Sequence, residues 1–289
     1  MKRQRLFFVY ACLLVPLLFF IGVRIVPIVY SFLVGFREWD LLSEEKPFVG
    51  FSNYLALYHD PVFLISLRNT AVYVLIGVPG QLAAGLAVAL LLRRIIRFRA
   101  FFRTVYFLPY VTSVVAVSWV FRWIFMKNGI VNGLLLKLGL PSQLFLGSPD
   151  QAIFIVTAAM IWQNLGFQML IFLTGLENIP KEYEEAAAID GAGVWQRFVH
   201  VTLPLLNPVL LFSVIIASIS YLQSFTQILN MTSGGGPLNS TKSVVVYIYE
   251  LAFKQFNMGQ ATAATVVLFL LILLLSLLQL KTLNRKVEY

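Results

Sequence analysis

The sequence is poor in charge: Asp, Glu, Lys and Arg together make up 12% of its 289 residues. Soluble domains average about 25%, and the mean hydropathy of +0.83 agrees, so a soluble domain is excluded. The single cysteine, Cys12, excludes an internal disulfide, and we expect it to be an ordinary core residue. No Gly-x-x-x-x-Gly-Lys-Ser/Thr phosphate loop occurs, so the chain lacks this signature of an ATPase.

Apolar residues are instead arranged in six long runs. Each is near or above the ~20 residues that a helix needs to cross a bilayer. Their apolar residues do not alternate with polar ones, which excludes an outer-membrane barrel. We therefore predict an all-α membrane protein with six transmembrane helices in one domain, 1–289, the basic N-terminus leading into an uncleaved first span. The predicted spans are 6–36, 67–92, 104–125, 151–176, 203–229 and 261–280.

The net charge of +9 is unevenly distributed between the two sides of these spans. With the N-terminus inside, the inner segments hold 13 of the 22 Lys and Arg residues and the outer ones hold 7. Loops rich in Lys and Arg stay on the cytoplasmic side. The excess charge thus predicts an N-in/C-in orientation and no nucleic-acid partner.

Two arginines lie within the predicted spans. Arg24 and Arg122 each stand 18 residues into a run, which is ~27 Å along a helix. At that depth a long side chain can reach water at the outer interface, and this is the role we expect. The alternative is a place beside a transport route.

The segment EYEEAAAIDGAGVWQRFVHVTLP interrupts the apolar pattern. Pro180 suits a first helical position, acids favour the positive end of the helix dipole, and Gly191 and Gly193 should end the helix. A second short helix is predicted over 194–202. Surface helices usually carry Lys and Arg toward anionic lipid, whereas this one begins with acids. Docking into a partner is therefore favoured over lying on the membrane.

This segment resembles the EAA loop of binding-protein-dependent ABC importers. The matching pattern is Glu185-Ala186-Ala187, then Gly191, then Val201, where the family usually has isoleucine, and finally Leu203-Pro204. The stretches FLPYVTSVVAVSWVFRWIF, WQNLGFQMLIFLTGLENIP and GGGPLNSTKSVVVYIYELAF resemble the first permease of the carbohydrate-uptake branch, which serves maltose-like, trehalose-like and glycerol phosphate systems.

The resemblance implies a type I importer permease in a prokaryotic inner membrane. Loop 177–203 would then be a cytoplasmic coupling helix seated in an ABC ATPase dimer. The other partners would be a second permease and an extracytoplasmic solute-binding protein. The chain itself would have no catalytic residues, no metal and no cofactor, because ATP and Mg²⁺ would sit on the ATPase. The coupling candidates are Glu182, Glu185, Ala186, Ala187, Asp190, Gly191, Leu203 and Pro204.

A sugar needs hydrogen-bond partners and an apolar or aromatic face. Polar and aromatic side chains within the spans are therefore candidates for its path, although such groups also join helices to one another. The segment 232–240, TSGGGPLNS, is predicted to be a turn beside the outer mouth or simply a flexible loop. The path candidates are Trp119, Gln163, Asn164, Tyr221, Ser224 and Gln227.

Three alternatives stay open at this point. An ion-coupled secondary transporter would carry buried acids or histidines at span centres, and none occurs there. A membrane receptor would need a signalling domain, and we find no segment that could form one. An ABC importer for another polar solute, such as glycerol phosphate, shares the same motifs.

Overall fold

The computed structural model describes residues 2–43, 45–95 and 97–283, with the side chains of 2–9 excepted. These residues form helices and no strand; their β pairing is limited to two isolated bridges, Arg37–Phe48 and Asp40–Asn257. The helices are α1 (Lys2–Phe20), α2 (Val26–Val34), α3 (Ser52–His59), α4 (Pro61–Arg94), α5 (Arg99–Val111), α6 (Val114–Phe125), α7 (Ile130–Lys137), α8 (Ala152–Glu177), α9 (Lys181–Ile189), α10 (Val194–Arg197), α11 (Leu203–Leu205), α12 (Asn207–Leu222), α13 (Thr226–Met231), α14 (Val244–Phe253) and α15 (Met258–Leu283).

The described helices confirm an all-α chain with several apolar spans. Five helical stretches are long and apolar enough to cross a membrane. A sixth span is possible if the pair Val194–Leu205 and Asn207–Leu222, bent by 69°, counts as one. The N-in/C-in orientation stays a prediction.

Two of the predicted runs are not continuous helices. Run 104–125 divides into α5 and α6 around Thr112 and Ser113. Pro109 removes one helical N–H, and the Thr112 hydroxyl donates to the Pro109 carbonyl at 2.7 Å, which competes with continuation of the helix. Run 203–229 breaks between α12 and α13, at residues 223–225. Hydropathy alone predicts burial in lipid and is blind to such breaks.

The first compact unit consists of residues 1–61 and 248–270. The Asn53 side chain donates to the carbonyls of Gly35 and Arg37 at 2.9 and 2.8 Å. Cys12, expected in the core, is exposed on α1. The reason is that the first span, Tyr10–Val34, buries none of its most apolar window against the described chain.

The second unit consists of residues 62–247 and 271–289, and within it α4 and α8 carry two apolar clusters. Tyr73 on α4 and Met160 on α8 belong to one cluster, with Tyr221 of α12. Leu92 and Phe172, nearer the ends of α4 and α8, belong to the other. The two clusters hold the helices that carry both candidate sites.

Candidate functional site

Residues 177–203, called the coupling segment below, fold as predicted into two short helices around a glycine turn. Gly191 ends α9 with φ of +82°, a left-handed conformation that glycine adopts without strain. The amide of Gly193 donates to the Gln196 side chain at 2.8 Å, which caps the start of α10. A π-turn, Phe198–Thr202, then leads into α11.

Large apolar side chains of this segment point away from the chain. Ile189 on α9 is 87% exposed, and Trp195 on α10 is 72% exposed. Helix α9 is not among the candidate spans, so its exposed isoleucine does not belong to a membrane-crossing helix. Exposed apolar side chains beside charged ones are typical of a protein-binding surface.

An ion pair fixes the other face of α9. The Arg93 guanidinium at the end of α4 contacts the Glu184 carboxylate at 2.7 Å, with both side chains about a quarter exposed, at 24 and 28%. The Thr202 hydroxyl donates to the same carboxylate oxygen at 3.3 Å. Beside this bridge, a cleft of about 760 Å³ is lined by residues that include Glu185, Ala188 and Trp195. The coupling segment is therefore tied to the end of a membrane span.

The remaining coupling candidates are distributed around this segment. Ala187, Asp190 and Gly191 line a second depression of about 360 Å³ on the other side of α9. Those left on the surface or at the return to the membrane are Glu182 and Ala186, both exposed, half-buried Leu203 and exposed Pro204. Arg99 at the start of α5 forms a further ion pair with Glu177 at the end of α8.

Four of the six path candidates line one cavity at the break between α12 and α13. Its volume is about 180 Å³. Among the residues that the structure describes, the Tyr221 and Ser224 hydroxyls are buried without a hydrogen-bond partner, which leaves both available to a solute. The cavity is lined by Val114, Met160, Asn164, Ser220, Tyr221, Gln223, Ser224, Phe225, Thr226 and Gln227.

The other two path candidates lie outside this lining. Gln163 is buried behind it, and its side-chain oxygen accepts a hydrogen bond from Gln227 at 3.2 Å. Trp119 is 53% exposed on α6, with the Arg122 guanidinium 5.0 Å from its ring centre. Arg122 also donates to the Asn230 carbonyl at 3.0 Å, so it joins α6 to α13 rather than extending into water.

Three of the path candidates, Tyr221, Ser224 and Gln227, are spaced three residues apart, which would place them near one face of a continuous helix over the predicted span 203–229. The structure brings them together because the helix is interrupted there, so that α12 ends and α13 begins at the same cavity. The sequence analysis did not name Val114, Met160 and Thr226, which also line the cavity. The adjacent polar pair Gln223-Ser224 inside an apolar run is the signal that could have located the break.

Residues 81–289 match the family described as "Binding-protein-dependent transport system inner membrane component". The chain belongs to this family. It is therefore a multi-pass transport subunit of the inner membrane, an ABC transporter permease.

Similar permeases occur in several bacteria. The lactose transport system permease protein LacF of Rhizobium radiobacter is 39% identical over 80% of each chain. The probable ABC transporter permease protein YesP of Bacillus subtilis is 35% identical over 93% of this chain and 88% of its own. The arabinooligosaccharides permease AraP of the same species is 35% identical, covering 88% and 82%.

A solved structure has the same fold as this permease. It is a chain of a bacterial alginate ABC transporter in complex with an alginate pentasaccharide-bound periplasmic protein. The TM-score is 0.83 at 22% identity, over 96% of this chain and 94% of that one. The type I importer permease fold, expected from the EAA resemblance, is thus confirmed.

Proposed function

We propose that this permease forms half of the membrane pathway of an ATP-driven importer for a neutral sugar, an oligosaccharide or a disaccharide. Relatives named for lactose and arabinooligosaccharides support this solute class. The observation that carries it is the cavity at the α12–α13 break. The side chains that line it are hydroxyl, amide, aromatic and apolar, and none of them is charged.

The chemistry of these side chains fits a sugar better than a phosphate. Hydroxyls and amides both donate and accept hydrogen bonds, as sugar hydroxyls require, and the Tyr221 and Phe225 rings supply apolar faces. A glycerol phosphate would favour an Arg or Lys at its binding site. The same lack of charge disfavours an ion-coupled carrier, which uses buried acids or histidines.

The cavity is smaller than the solute that we propose. Ligand sites usually enclose about 300–1,000 Å³, whereas this one has about 180 Å³. A second permease would supply the opposite wall and complete the site. An extracytoplasmic binding protein would deliver the solute to it.

The driving force would enter through the coupling segment. We assign the contact with a separate cytoplasmic ATPase dimer to α9, the turn at Gly191 and the exposed Trp195. The bare apolar side chains and acids of this segment support that assignment. ATP and Mg²⁺ would bind to the ATPase, and this chain would carry no catalytic residue.

The test is uptake by proteoliposomes that contain both permeases, the ATPase and the binding protein, across a panel of sugars. Glu185→Lys should abolish ATP-driven uptake and release the ATPase in pull-downs, because it places a like charge or an unpaired one at the docked surface. Asp150→Lys reverses another exposed acid, outside the segment, and should retain the ATPase.

Three results would contradict this proposal. Full uptake by Glu185→Lys would remove the coupling assignment. Uptake driven by an ion gradient without ATP would replace the importer with a secondary carrier, and selectivity for phosphorylated solutes would overturn the neutral sugar.

A further inference from the structure

The glycine-rich segment, residues 232–243, is an ordered element. Its backbone has positive φ at six positions, and two of these are non-glycine residues in succession, Leu238 at 53° and Asn239 at 59°. Such conformations cost energy in residues with a Cβ and persist only where surrounding contacts enforce them. Such a backbone favours the predicted turn over a simple flexible loop.

Helix α4 supplies the contacts that hold this segment. The Asn69 side chain donates to the carbonyls of Asn239 and Lys242 at 2.8 and 3.1 Å. The Tyr73 hydroxyl, one turn further along α4, donates to the Thr241 carbonyl at 2.9 Å. The contacts to Lys242 and Thr241 are buried and the contact to Asn239 is partly buried, so the glycine-rich segment is bonded to α4 by side chains largely shielded from water.

The other end of this segment is bonded to the cavity wall. The Ser243 hydroxyl donates to the Ser224 carbonyl at 2.7 Å in a buried hydrogen bond. Ser224 lies in the break between α12 and α13, where a carbonyl lacks its usual helical partner. A side chain of the glycine-rich segment thus replaces the missing helical hydrogen bond at the place where the helix opens into the cavity.

Helix α4 touches the same cavity wall directly. Gly77 is one turn beyond Tyr73, and a Cβ at this position would overlap the Tyr221 ring. The face of α4 that holds the glycine-rich segment therefore also supports a cavity-lining residue. Segment, helix and break form one connected set of buried contacts.

We propose that Tyr73 and Ser243 are positioning residues that set the geometry of the solute cavity through residues 232–243. The glycine-rich segment holds the α12–α13 break in the conformation that presents Tyr221 and Ser224. Displacing this segment at its tip, where Leu238 is 83% exposed, would release the break. The effect on solute affinity rests on the proposed function. The mechanical link, by which residues 232–243 hold the α12–α13 break, does not.

The mechanical link is tested by cysteine accessibility in the assembled transporter. With Cys12→Ala, the substitution Ser224→Cys places the chain's single thiol in the break while leaving the backbone carbonyl there. Adding Ser243→Ala should accelerate labelling by a membrane-permeant maleimide about 2- to 10-fold, the range expected from one net hydrogen bond. Adding Ser240→Ala should leave the rate unchanged, because the Ser240 hydroxyl has no partner among the described residues.

The second readout is solute uptake by the otherwise unmodified chain. Tyr73→Phe and Ser243→Ala should each raise the apparent KM about 2- to 10-fold, with a smaller change in maximal rate. Ser243→Thr keeps the hydroxyl and should restore the KM. The Ser243 hydroxyl also accepts a hydrogen bond from the Val246 amide at 3.3 Å, so Ser243→Ala removes a helix cap as well. Tyr73→Phe leaves that cap in place and therefore tests the contact of the segment with α4 separately.

The outcomes separate the two proposals. If the parent transports no sugar, the proposed solute fails, but the labelling rates still decide whether the segment positions the break. If Ser243→Ala leaves both labelling and KM unchanged and only lowers the melting temperature of the complex, the positioning role is wrong. An equal acceleration by Ser240→Ala would also overturn it.

Discussion

At position 77 a hydrogen atom is the only side chain that leaves room for Tyr221. The Cβ of an alanine there would overlap the tyrosine ring. Gly77→Ala should displace the ring and reduce sugar uptake, with a stability cost of about 1–3 kcal/mol typical of overpacking. Uptake and thermal melting of the assembled complex measure the two effects.

A matched glycine provides the control at this scale. Gly133 also lies in a helix, but a Cβ there meets nothing within 4 Å. Gly133→Ala should therefore leave uptake unchanged and be neutral or slightly stabilising. Equal losses in both variants would mean that the loss at position 77 does not come from overlap with the Tyr221 ring.

At the scale of elements, the Arg93–Glu184 ion pair between α4 and α9 should transmit motion of the coupling segment to the membrane span α4. Arg93→Gln removes the ion pair to Glu184, which at this exposure is worth about 0.5–1 kcal/mol, or about 2- to 5-fold in a coupling equilibrium. We expect basal ATP hydrolysis to persist while its stimulation by solute-loaded binding protein falls. Steady-state ATPase assays with and without that protein measure this.

The neighbouring arginine serves as the control for this prediction. Arg94→Gln removes the same charge, yet Arg94 is exposed and has no ion pair among the described residues. The charge swap of Arg93→Glu with Glu184→Arg should recover part of the stimulation. An equal defect in Arg94→Gln would show that the loss of a positive charge, and not of the Arg93–Glu184 ion pair, lowers the stimulation.

Sequence patterns predicted some of these elements and missed others for a physical reason. The helix ending at Gly191 follows from local signals, because acids, alanines and a positive-φ glycine act within a few residues. The break at residues 112–113 lies beside Pro109 and Thr112, whereas the break at 223–225 is held by a hydrogen bond from a distant residue, Ser243 to Ser224. Burial of Tyr221 against Gly77 likewise joins positions that no local pattern connects.

At the scale of the whole molecule, the uneven distribution of Lys and Arg predicts which ends and loops face the cytoplasm. In a Cys12→Ala background, Val194→Cys and Ser142→Cys place thiols on exposed positions of different loops. An impermeant maleimide added to intact cells should label only Ser142→Cys, and inverted vesicles should label only Val194→Cys. The opposite pattern would refute the N-in/C-in orientation and the cytoplasmic ATPase contact with it.

The bare first span has a consequence for how this sequence can change over time. No residue of its most apolar window, within Tyr10–Val34, is buried against the described chain, so within the chain it is constrained chiefly by length and hydrophobicity. We expect exchanges among aliphatic residues there to change the stability of this chain little. The glycine-rich segment is more constrained, because its positive-φ backbone and its hydroxyl hydrogen bonds limit which residues can occupy it.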